Sequence, residues 1–198
     1  MIARHGVAPL LAVILVAVLV MHFIGLPHSL PFWALVLVLI LVYRDPARSV
    51  PSSPLSVLSP ADGRVVTVTH TSDPYLGRAS LKISISMSPT GVFTTRSPVE
   101  GKVLELPASQ GRVNEPHGVW LQTDEGDDIV LVMNRGRINN KPHCYVGIGE
   151  RVGQGRRCGF VHLGGRVDVY LPDYCRAEVG ENARVLAGTD VIASLVHT

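Results

Sequence analysis

Imidazole and thiol side chains are the groups in this 198-residue sequence best suited to bind a soft metal ion. Five of those in the second half of the chain are candidates for such a set: His117, His143, Cys144, Cys158 and His162. Structural zinc sites draw their ligands from closely spaced pairs such as Cys-x-x-Cys, and none of the five has a partner at that spacing. His143 and Cys144 are adjacent, so on a strand they would point to opposite faces. We therefore expect no metal site.

Two other patterns bear on the binding of anions. A glycine-rich stretch runs from Gly147 to Gly165 but lacks the Lys-Ser/Thr pair of a phosphate-binding loop, so it predicts no nucleotide site. A set of basic residues is compatible with contact to anionic lipid headgroups and equally with ordinary solubility: Arg135, Arg137, Lys141, Arg151, Arg156 and Arg157. The whole chain has 18 basic and 16 acidic residues. This balance forms no basic stripe, so we expect no nucleic-acid partner.

The first 43 residues differ from the rest in having almost no charge. No Lys, Arg, Asp or Glu lies between Val7 and Tyr43. Two apolar runs, 7–24 and 32–43, are separated by residues 25–31, whose Gly and Pro residues predict a turn. Each run is shorter than the ~20 residues of a comfortable membrane span. We predict a transmembrane helical hairpin over residues 1–43, either as two full crossings or as a shallow re-entrant hairpin.

Charge placement predicts the orientation of this anchor. Arg4 precedes the first run, Arg44 and Arg48 follow the second, and the intervening loop has no Lys or Arg. The positive-inside rule then places both ends in the cytoplasm. A cleaved signal peptide is the alternative, but no small-residue cleavage site follows the first run and a second run comes at once. We expect a protein of the inner (cytoplasmic) membrane whose soluble domain faces the cytoplasm.

The remainder of the sequence has the period-two pattern of β-strands. Residues 44–56 are rich in Pro and Ser, which predicts an extended tether. Short alternating segments punctuated by Gly, Pro, Asn and Asp follow, at 64–69, 81–86, 102–106, 119–122, 128–133 and 166–171. This spacing is typical of all-β folds. We predict a mainly β protein in which residues 57–198 form one antiparallel domain of the sandwich or barrel type.

Five motifs, in order along the chain, carry a family resemblance. They are Tyr43-Arg-Asp-Pro46, Ser59-Pro-Ala-Asp-Gly-Arg64, Ile85-Ser-Met-Ser-Pro89, Arg96-Ser-Pro-Val-Glu-Gly-Lys-Val103 and Arg166-Val-Asp-Val-Tyr-Leu-Pro172. With them the sequence resembles the short, membrane-anchored form of phosphatidylserine decarboxylase from the anchor to the C-terminus. The resemblance implies an enzyme that cuts its own chain at a Gly–Ser bond and turns that Ser into a pyruvoyl group. With this group, members of the family convert phosphatidylserine to phosphatidylethanolamine and carbon dioxide.

The sequence departs from the family pattern at the residues that would do this chemistry. Where the family has Gly-Ser before the last motif, this chain has Gly164-Gly165. Gly165 has no hydroxyl from which a pyruvoyl group could form. The family's Asp-Val-His segment is Gly91-Val-Phe93 here, so Phe93 stands at the position of the family's basic His. Asp62 is the remaining member of the Asp-His-Ser triad that the resemblance implies.

These losses predict a folded, non-catalytic relative that acts in phospholipid metabolism. No Ser lies between Ser109 and Ser194 to replace the missing one, and we do not expect the Cys158 thiol to do so. We therefore expect no cofactor; the alternative is an active decarboxylase that works by an unrecognised route. The expected partners are a membrane phospholipid, either phosphatidylserine or phosphatidylethanolamine, and an intact family member or a second copy of the chain. By resemblance, the substrate contacts are Ser88, Arg96 and Arg166.

Overall fold

The computed structural model describes residues 4–51, 53, 55–89, 91–105, 117–134 and 141–196. The chain divides into two compact units, residues 1–47 and residues 48–198. The division falls inside the segment 44–56 that the sequence predicts as a tether. The exact limits of that tether, and of the domain predicted at 57–198, stay predictions.

The first unit contains two apolar helices, α1 (Arg4–Phe23) and α2 (Leu26–Val42). Helix α1 includes an 18-residue stretch, Gly6–Phe23, that is long and apolar enough to cross a membrane, whereas α2 is shorter at 17 residues. A side chain at Gly6 would overlap Tyr43, so the start of α1 packs against the residue that follows α2. The two helices therefore form an antiparallel hairpin.

The predicted turn over residues 25–31 is wrong in length. Helix α2 begins at Leu26, and Gly25, with φ of 111°, is its N-cap. Pro27 lies in the first turn, where the missing N–H has no helical acceptor and proline is well tolerated. Pro31 lies inside the helix. The helix breakers thus mark a helix start instead of a seven-residue loop.

The second unit is built from short strands. In the described part of the chain these are β1 (Ser56–Leu58), β2 (Gly63–Ser72), β3 (Ala79–Met87), β4 (Thr94–Arg96), β5 (Gly101–Leu104), β6 (His117–Gln122), β7 (Asp128–Met133), β8 (His143–Cys144), β9 (Arg151–Val152), β10 (Arg157–Phe160), β11 (Arg166–Pro172), β12 (Arg176–Ala177), β13 (Arg184–Val185) and β14 (Val191–Ser194). Each of the six predicted segments overlaps one of these strands. The mainly β prediction is confirmed.

The described strands form three sheets in which the paired strands run antiparallel. The largest has the order β13-β2-β3-β11-β7-β6-β5-β9, and the two smaller sheets have the orders β1-β14-β12 and β4-β10-β8. Among the described strands no sheet closes into a barrel. Of the two predicted architectures, the barrel is therefore not the one found.

Pairing between β3 and β11 determines where the site lies. The two strands stay in register from Arg166 opposite Ser86 to Pro172 opposite Ser80. Val167 and Val169 of β11 face Ile85 and Ile83 of β3 in this register, and all four side chains are fully buried. Burial of each such side chain is worth roughly 1.5–3 kcal/mol. This packing brings the residues just before β11 next to the end of β3.

Candidate functional site

The turn that leads into β11 is the centre of the site. Gly164 donates its N–H to the carbonyl oxygen of Val161 at 3.2 Å, which closes a turn. Leu163 and Gly164 both have positive φ, 55° and 74°, a conformation that favours glycine at the second position. The N–H of Met87 at the end of β3 donates to the carbonyl oxygen of Gly165 at 2.8 Å. The Gly164–Gly165 link is therefore held against β3.

Phe93 is packed against this turn. Its side chain is 2% exposed, and its Cε1 atom lies 3.5 Å from where a Cβ on Gly164 would be. The ring also meets Phe160 edge to face, with ring centroids 6.4 Å apart. The Phe93 carbonyl accepts a hydrogen bond from the N–H of Val161 at 2.9 Å, which ties both residues to the same turn. A carbon ring thus fills the space beside the glycine pair.

Asp62 lies beside Ser88, in the turn before β2. Its Oδ1 accepts the N–H of Ala187 at 2.7 Å, and its Oδ2 accepts Nη2 of Arg48 at 2.7 Å. Its carbonyl oxygen accepts the N–H of Ser88 at 3.2 Å. Both carboxylate oxygens are therefore engaged in holding the chain together. Sequence reasoning used Arg48 only as a flanking charge and missed this contact.

The structure brings most of the predicted site residues into one region. Ser88 is half-buried beside Asp62, and its carbonyl accepts the N–H of Gly91 at 3.1 Å. A Cβ on Gly91 would lie 3.5 Å from Cβ of Asp62. Through the end of β3, Asp62 and Ser88 are joined to Phe93 and Gly164. The residues that depart from the family pattern are therefore neighbours in space.

The two predicted substrate-binding arginines lie in different surroundings. Arg96 is 6% exposed, and its Nη1 donates to the carbonyl oxygen of Gly155 at 3.0 Å. Arg166 follows Gly165 directly, and its side chain is 48% exposed. The geometry makes Arg166 the more accessible of the two. A role in substrate binding stays a prediction for both, as it does for Ser88.

Asp168 is the most heavily bonded carboxylate near the site. Nε of Arg166 donates to its Oδ1 at 2.8 Å and Nδ2 of Asn134 to its Oδ2 at 3.0 Å, while Nζ of Lys82 lies 3.7 Å from Oδ2. Burial by itself would raise the pKa of this carboxyl. Hydrogen bonds from Ser84, Arg166 and Asn134, with the charge of Lys82, outweigh burial and lower the pKa below its ordinary value.

Replacing Asp168 by Asn should lower the free energy of unfolding by about 2 kcal/mol at neutral pH, because two cations lose their counter-charge. A carboxyl whose folded pKa is depressed stabilises the protein above its unfolded pKa of about 3.9, and this stabilisation is lost as the pH falls through the folded pKa. The difference in the free energy of unfolding between wild type and Asp168→Asn should therefore become smaller as the pH falls. Denaturant unfolding of the full chain in detergent, followed by circular dichroism across this pH range, measures it.

Asp173→Asn is the matched control for this experiment. The Asp173 side chain is 55% exposed and pairs with His70 at 2.6 Å. An exposed pair of this kind contributes little, so we expect a change within about 0.5 kcal/mol. If the difference in unfolding free energy between wild type and Asp168→Asn stayed constant from neutral to acidic pH, a depressed pKa of Asp168 could not be its cause.

Within the part of the chain that the structure describes, the other candidate groups form no second site. Burial raises the pKa of the Cys158 thiol to about 12, so this sulfur stays protonated at neutral pH. Among the described residues no group of three His, Cys, Asp or Glu is placed to hold a metal ion. The side chain of His117 lies outside the described residues.

Some of the basic residues compatible with headgroup contact are paired with carboxylates. Arg151 pairs with Glu100 and Asp124, and Arg156 with Glu150. Arg135 and Arg137 lie outside the described residues. The described geometry therefore favours the ordinary-solubility interpretation for Arg151 and Arg156.

Sequence comparison matches nearly the whole chain to one family. The family model described as phosphatidylserine decarboxylase matches residues 37–193. A phosphatidylserine decarboxylase proenzyme of Nitrosomonas eutropha is 38% identical over 203 aligned residues, covering 97% of this chain and 94% of the relative. The proenzyme of Burkholderia ambifaria is also 38% identical, covering 98% and 96%. Among solved structures, glucose permease IIA from Mycoplasma capricolum matches with a TM-score of 0.47 at 20% identity, covering 70% of this chain and 94% of that chain.

Proposed function

Because this chain belongs to the phosphatidylserine decarboxylase family, we propose that it is a membrane-anchored, non-catalytic member that binds phospholipid headgroups. Its ligand is phosphatidylserine or phosphatidylethanolamine. Its helical hairpin lies in the cytoplasmic membrane and its β domain on the cytoplasmic side, as Arg4, Arg44 and Arg48 around an uncharged loop indicate. A contact with an intact family member or with a second copy is compatible with this role.

The observation that carries the proposal is the environment of the Gly164–Gly165 link. The family's cleavage needs a side-chain oxygen on the second of these residues, and Gly165 has none. It also needs a group that accepts a proton, and the ring of Phe93 cannot accept one. That ring is buried against Phe160 and against the position of a Gly164 side chain. The aromatic ring of Phe93 thus occupies the place of the family's basic His. The substitution therefore changes the packing around Gly164 as well as removing a proton acceptor.

The remaining carboxylate supports the same conclusion. Asp62 binds the backbone N–H of Ala187 and the guanidinium of Arg48, and so acts as a link between three segments of the chain. The family's pyruvoyl group does not fit the residues present. Gly165 has no hydroxyl to attack the preceding carbonyl and no β-carbon to become the pyruvoyl methyl group, and the buried Cys158 thiol is held protonated. We therefore propose that the chain forms no such group and takes part in no step that would need one.

What the chain retains is a scaffold with an accessible cation beside the old cleavage position. Arg166 is anchored through Nε by Asp168, and its side chain is nearly half exposed. A guanidinium held in this way is well suited to bind a phosphate or a carboxylate, both of which phosphatidylserine offers. Headgroup binding by Arg166 is thus the function that survives when the reaction is lost.

One preparation of the full-length protein tests this proposal. Denaturing mass spectrometry should show one polypeptide near 21.3 kDa, with no reaction toward carbonyl reagents and no carbon dioxide released from phosphatidylserine. Native mass spectrometry in detergent should show saturable binding of phosphatidylserine. Arg166→Gln should weaken that binding about tenfold, since a charge-assisted hydrogen bond is lost.

Arg176→Gln is the matched control, because Arg176 also follows a turn, lies on a strand and faces a carboxylate two residues on. It should leave lipid binding unchanged. Two fragments parted near residue 164, or carbon dioxide release, would establish the active alternative. An intact chain that binds no phospholipid but co-purifies with an intact relative would replace lipid binding by a partner function.

A further inference from the structure

We infer that a row of basic residues on one face of the largest sheet binds the phosphate group of an anionic phospholipid. The row, which we call the arginine row, consists of Arg184, Arg64, Ser86 and Arg166. The inference deepens the proposed function and rests on it for the choice of a lipid as the source of the phosphate. It makes the negative charge of the headgroup, with or without an amine, the feature that these residues recognise.

Strand register places the members of the arginine row side by side. Arg184 of β13 is directly opposite Arg64 of β2, and Arg64 is directly opposite Ser86 of β3. Ser86 is in turn opposite Arg166 of β11. Residues directly opposite each other on antiparallel strands share a face of the sheet. All four side chains are exposed, so the row crosses four neighbouring strands on an accessible surface.

The chain neighbours of the arginine row identify the face that it occupies. One neighbour of each member is a buried apolar residue; these are Val185, Val65, Ile85 and Val167. Successive side chains on a strand point to opposite faces. The row therefore points away from these four side chains, on the face that also carries Lys82 and Asp168.

The positive charge of the arginine row is only partly neutralised by the protein. Arg166 pairs with Asp168, which Lys82 also approaches. In the described part of the chain neither Arg64 nor Arg184 forms an ion pair. Like charges directly opposite each other on paired strands are unfavourable. An anion bound between these two guanidiniums would remove that repulsion.

Arg64 and Arg184 are placed to bind one phosphate together. The Cβ atoms of directly opposite residues are about 5 Å apart. Nη1 of Arg64 donates to the carbonyl oxygen of Asn182 at 3.2 Å, which holds this guanidinium beside the turn that leads into β13. Arg184 is on that strand. Because a guanidinium has five N–H donors, Arg64 keeps others for the paired contacts that arginine makes to phosphate oxygens.

The arginine row borders the candidate functional site. Arg166 follows Gly165 directly, and Arg64 is two residues after Asp62. The hydroxyl of Ser86 lies between these two arginines in the row and adds a neutral donor. A phosphate bound by the row therefore lies at the edge of the site where the proposed function places a headgroup.

The composition of the arginine row determines which lipid it favours. The row has three guanidiniums and one hydroxyl and no carboxylate, so it offers no charged acceptor to an ammonium group. Phosphatidylglycerol has a net negative charge and no amine, which makes it the probe that isolates this charge. Phosphatidylethanolamine has the same phosphate, but its ammonium group cancels the charge. We expect wild type to bind phosphatidylglycerol about tenfold more tightly than phosphatidylethanolamine.

Native mass spectrometry of the full chain in detergent, with added phosphatidylglycerol, tests the arginine row. Arg64→Gln and Arg184→Gln should each weaken binding about tenfold, because charge-assisted hydrogen bonds to the phosphate are lost. Arg64→Lys keeps the charge but loses the paired donors, and should weaken binding less. Arg176→Gln is the matched control, because this arginine is exposed but belongs to another sheet; it should change nothing. Thermal unfolding followed by circular dichroism checks that each variant is folded.

Four results would decide against some part of the inference or of its premise. Unchanged phosphatidylglycerol binding in folded Arg64→Gln and Arg184→Gln would overturn the arginine row. Equal affinity of wild type for phosphatidylethanolamine, which needs no variant, would overturn charge as the feature recognised. Displacement of the lipid by an equal concentration of glycerol phosphate would identify a free phosphate ester and overturn the lipid assignment. Absence of phosphatidylserine binding, with phosphatidylglycerol binding still dependent on Arg64, would overturn the proposed function and leave the row standing.

Discussion

Restoring Asp at position 91, His at 93 and Ser at 165 in one chain should bring back self-cleavage. The triple variant Gly91→Asp, Phe93→His, Gly165→Ser is expected to separate into residues 1–164 and a C-terminal piece of residues 165–198. The imidazole would replace the ring that now lies 3.5 Å from the Gly164 side-chain position. A Cβ at position 91 would meet Cβ of Ser88 at 3.2 Å, so Ser88 must shift by a few tenths of an ångström. Denaturing mass spectrometry over time measures the cleavage.

The single variant Gly165→Ser is the informative comparison for this experiment. It restores the hydroxyl but leaves Phe93 in the place of the base. General-base assistance contributes about 10²–10⁴-fold, so the single variant should cleave slower than the triple variant by a factor of that order. Gly153→Ser introduces the same side chain where nothing lies within 4 Å, and should stay intact. Rapid cleavage of Gly165→Ser alone would show that another residue already supplies the base.

Gly63→Ala should be among the most destabilising single substitutions in the β domain, with a loss of about 3 kcal/mol in the free energy of unfolding. Gly63 pairs with Met87 of β3 on one side and with Val185 of β13 on the other. Its added Cβ would overlap the carbonyl oxygen of Ser86. That oxygen is backbone and cannot swing away, so β2 must move off β3. Denaturant unfolding of the full chain in detergent measures the loss.

The matched control is Gly153→Ala, because a Cβ at Gly153 would meet nothing within 4 Å and its φ is not positive. We expect it to be neutral or stabilising by about 0.5 kcal/mol, since alanine reduces the freedom of the unfolded chain. A Gly63→Ala protein as stable as Gly153→Ala would contradict the close approach of β2 and β3.

The strands were predictable because the alternation of apolar and polar residues along a strand can be seen in a short stretch of sequence. Leu81, Ile83 and Ile85 alternate with polar residues in β3 and all three are buried. The continuous apolar run Ile129–Met133 in β7 is buried on both faces. The alternating pattern of β3 also predicts an exposed polar face, yet Ser84 is fully buried. Lys82 and Arg166 gather with Asp168 on that face, and this follows from the pairing of β3 with β11 instead of from either strand alone.

The apolar anchor was predictable in extent but not in detail. Lack of charge from Val7 to Tyr43 is a property of composition, and two helices occupy that stretch. The position of Pro27 was misinterpreted, because a proline near a helix start and a proline in a loop look the same in one sequence. Only the path of the backbone distinguishes them, since the first turn of a helix lacks acceptors for its N–H groups.

The sequence by itself determined which side-chain groups this protein lacks where the family pattern has Ser and His. Position 165 has no hydroxyl and position 93 has no imidazole, because these groups are part of the covalent structure of a side chain and folding cannot supply them. Tertiary structure decided what replaced them. Phe93 meets the glycine turn, and Arg48 meets Asp62, because sheet register and turn geometry bring together residues that are distant along the chain. Such contacts depend on the whole set of strand pairings, and a local pattern contains no information about them.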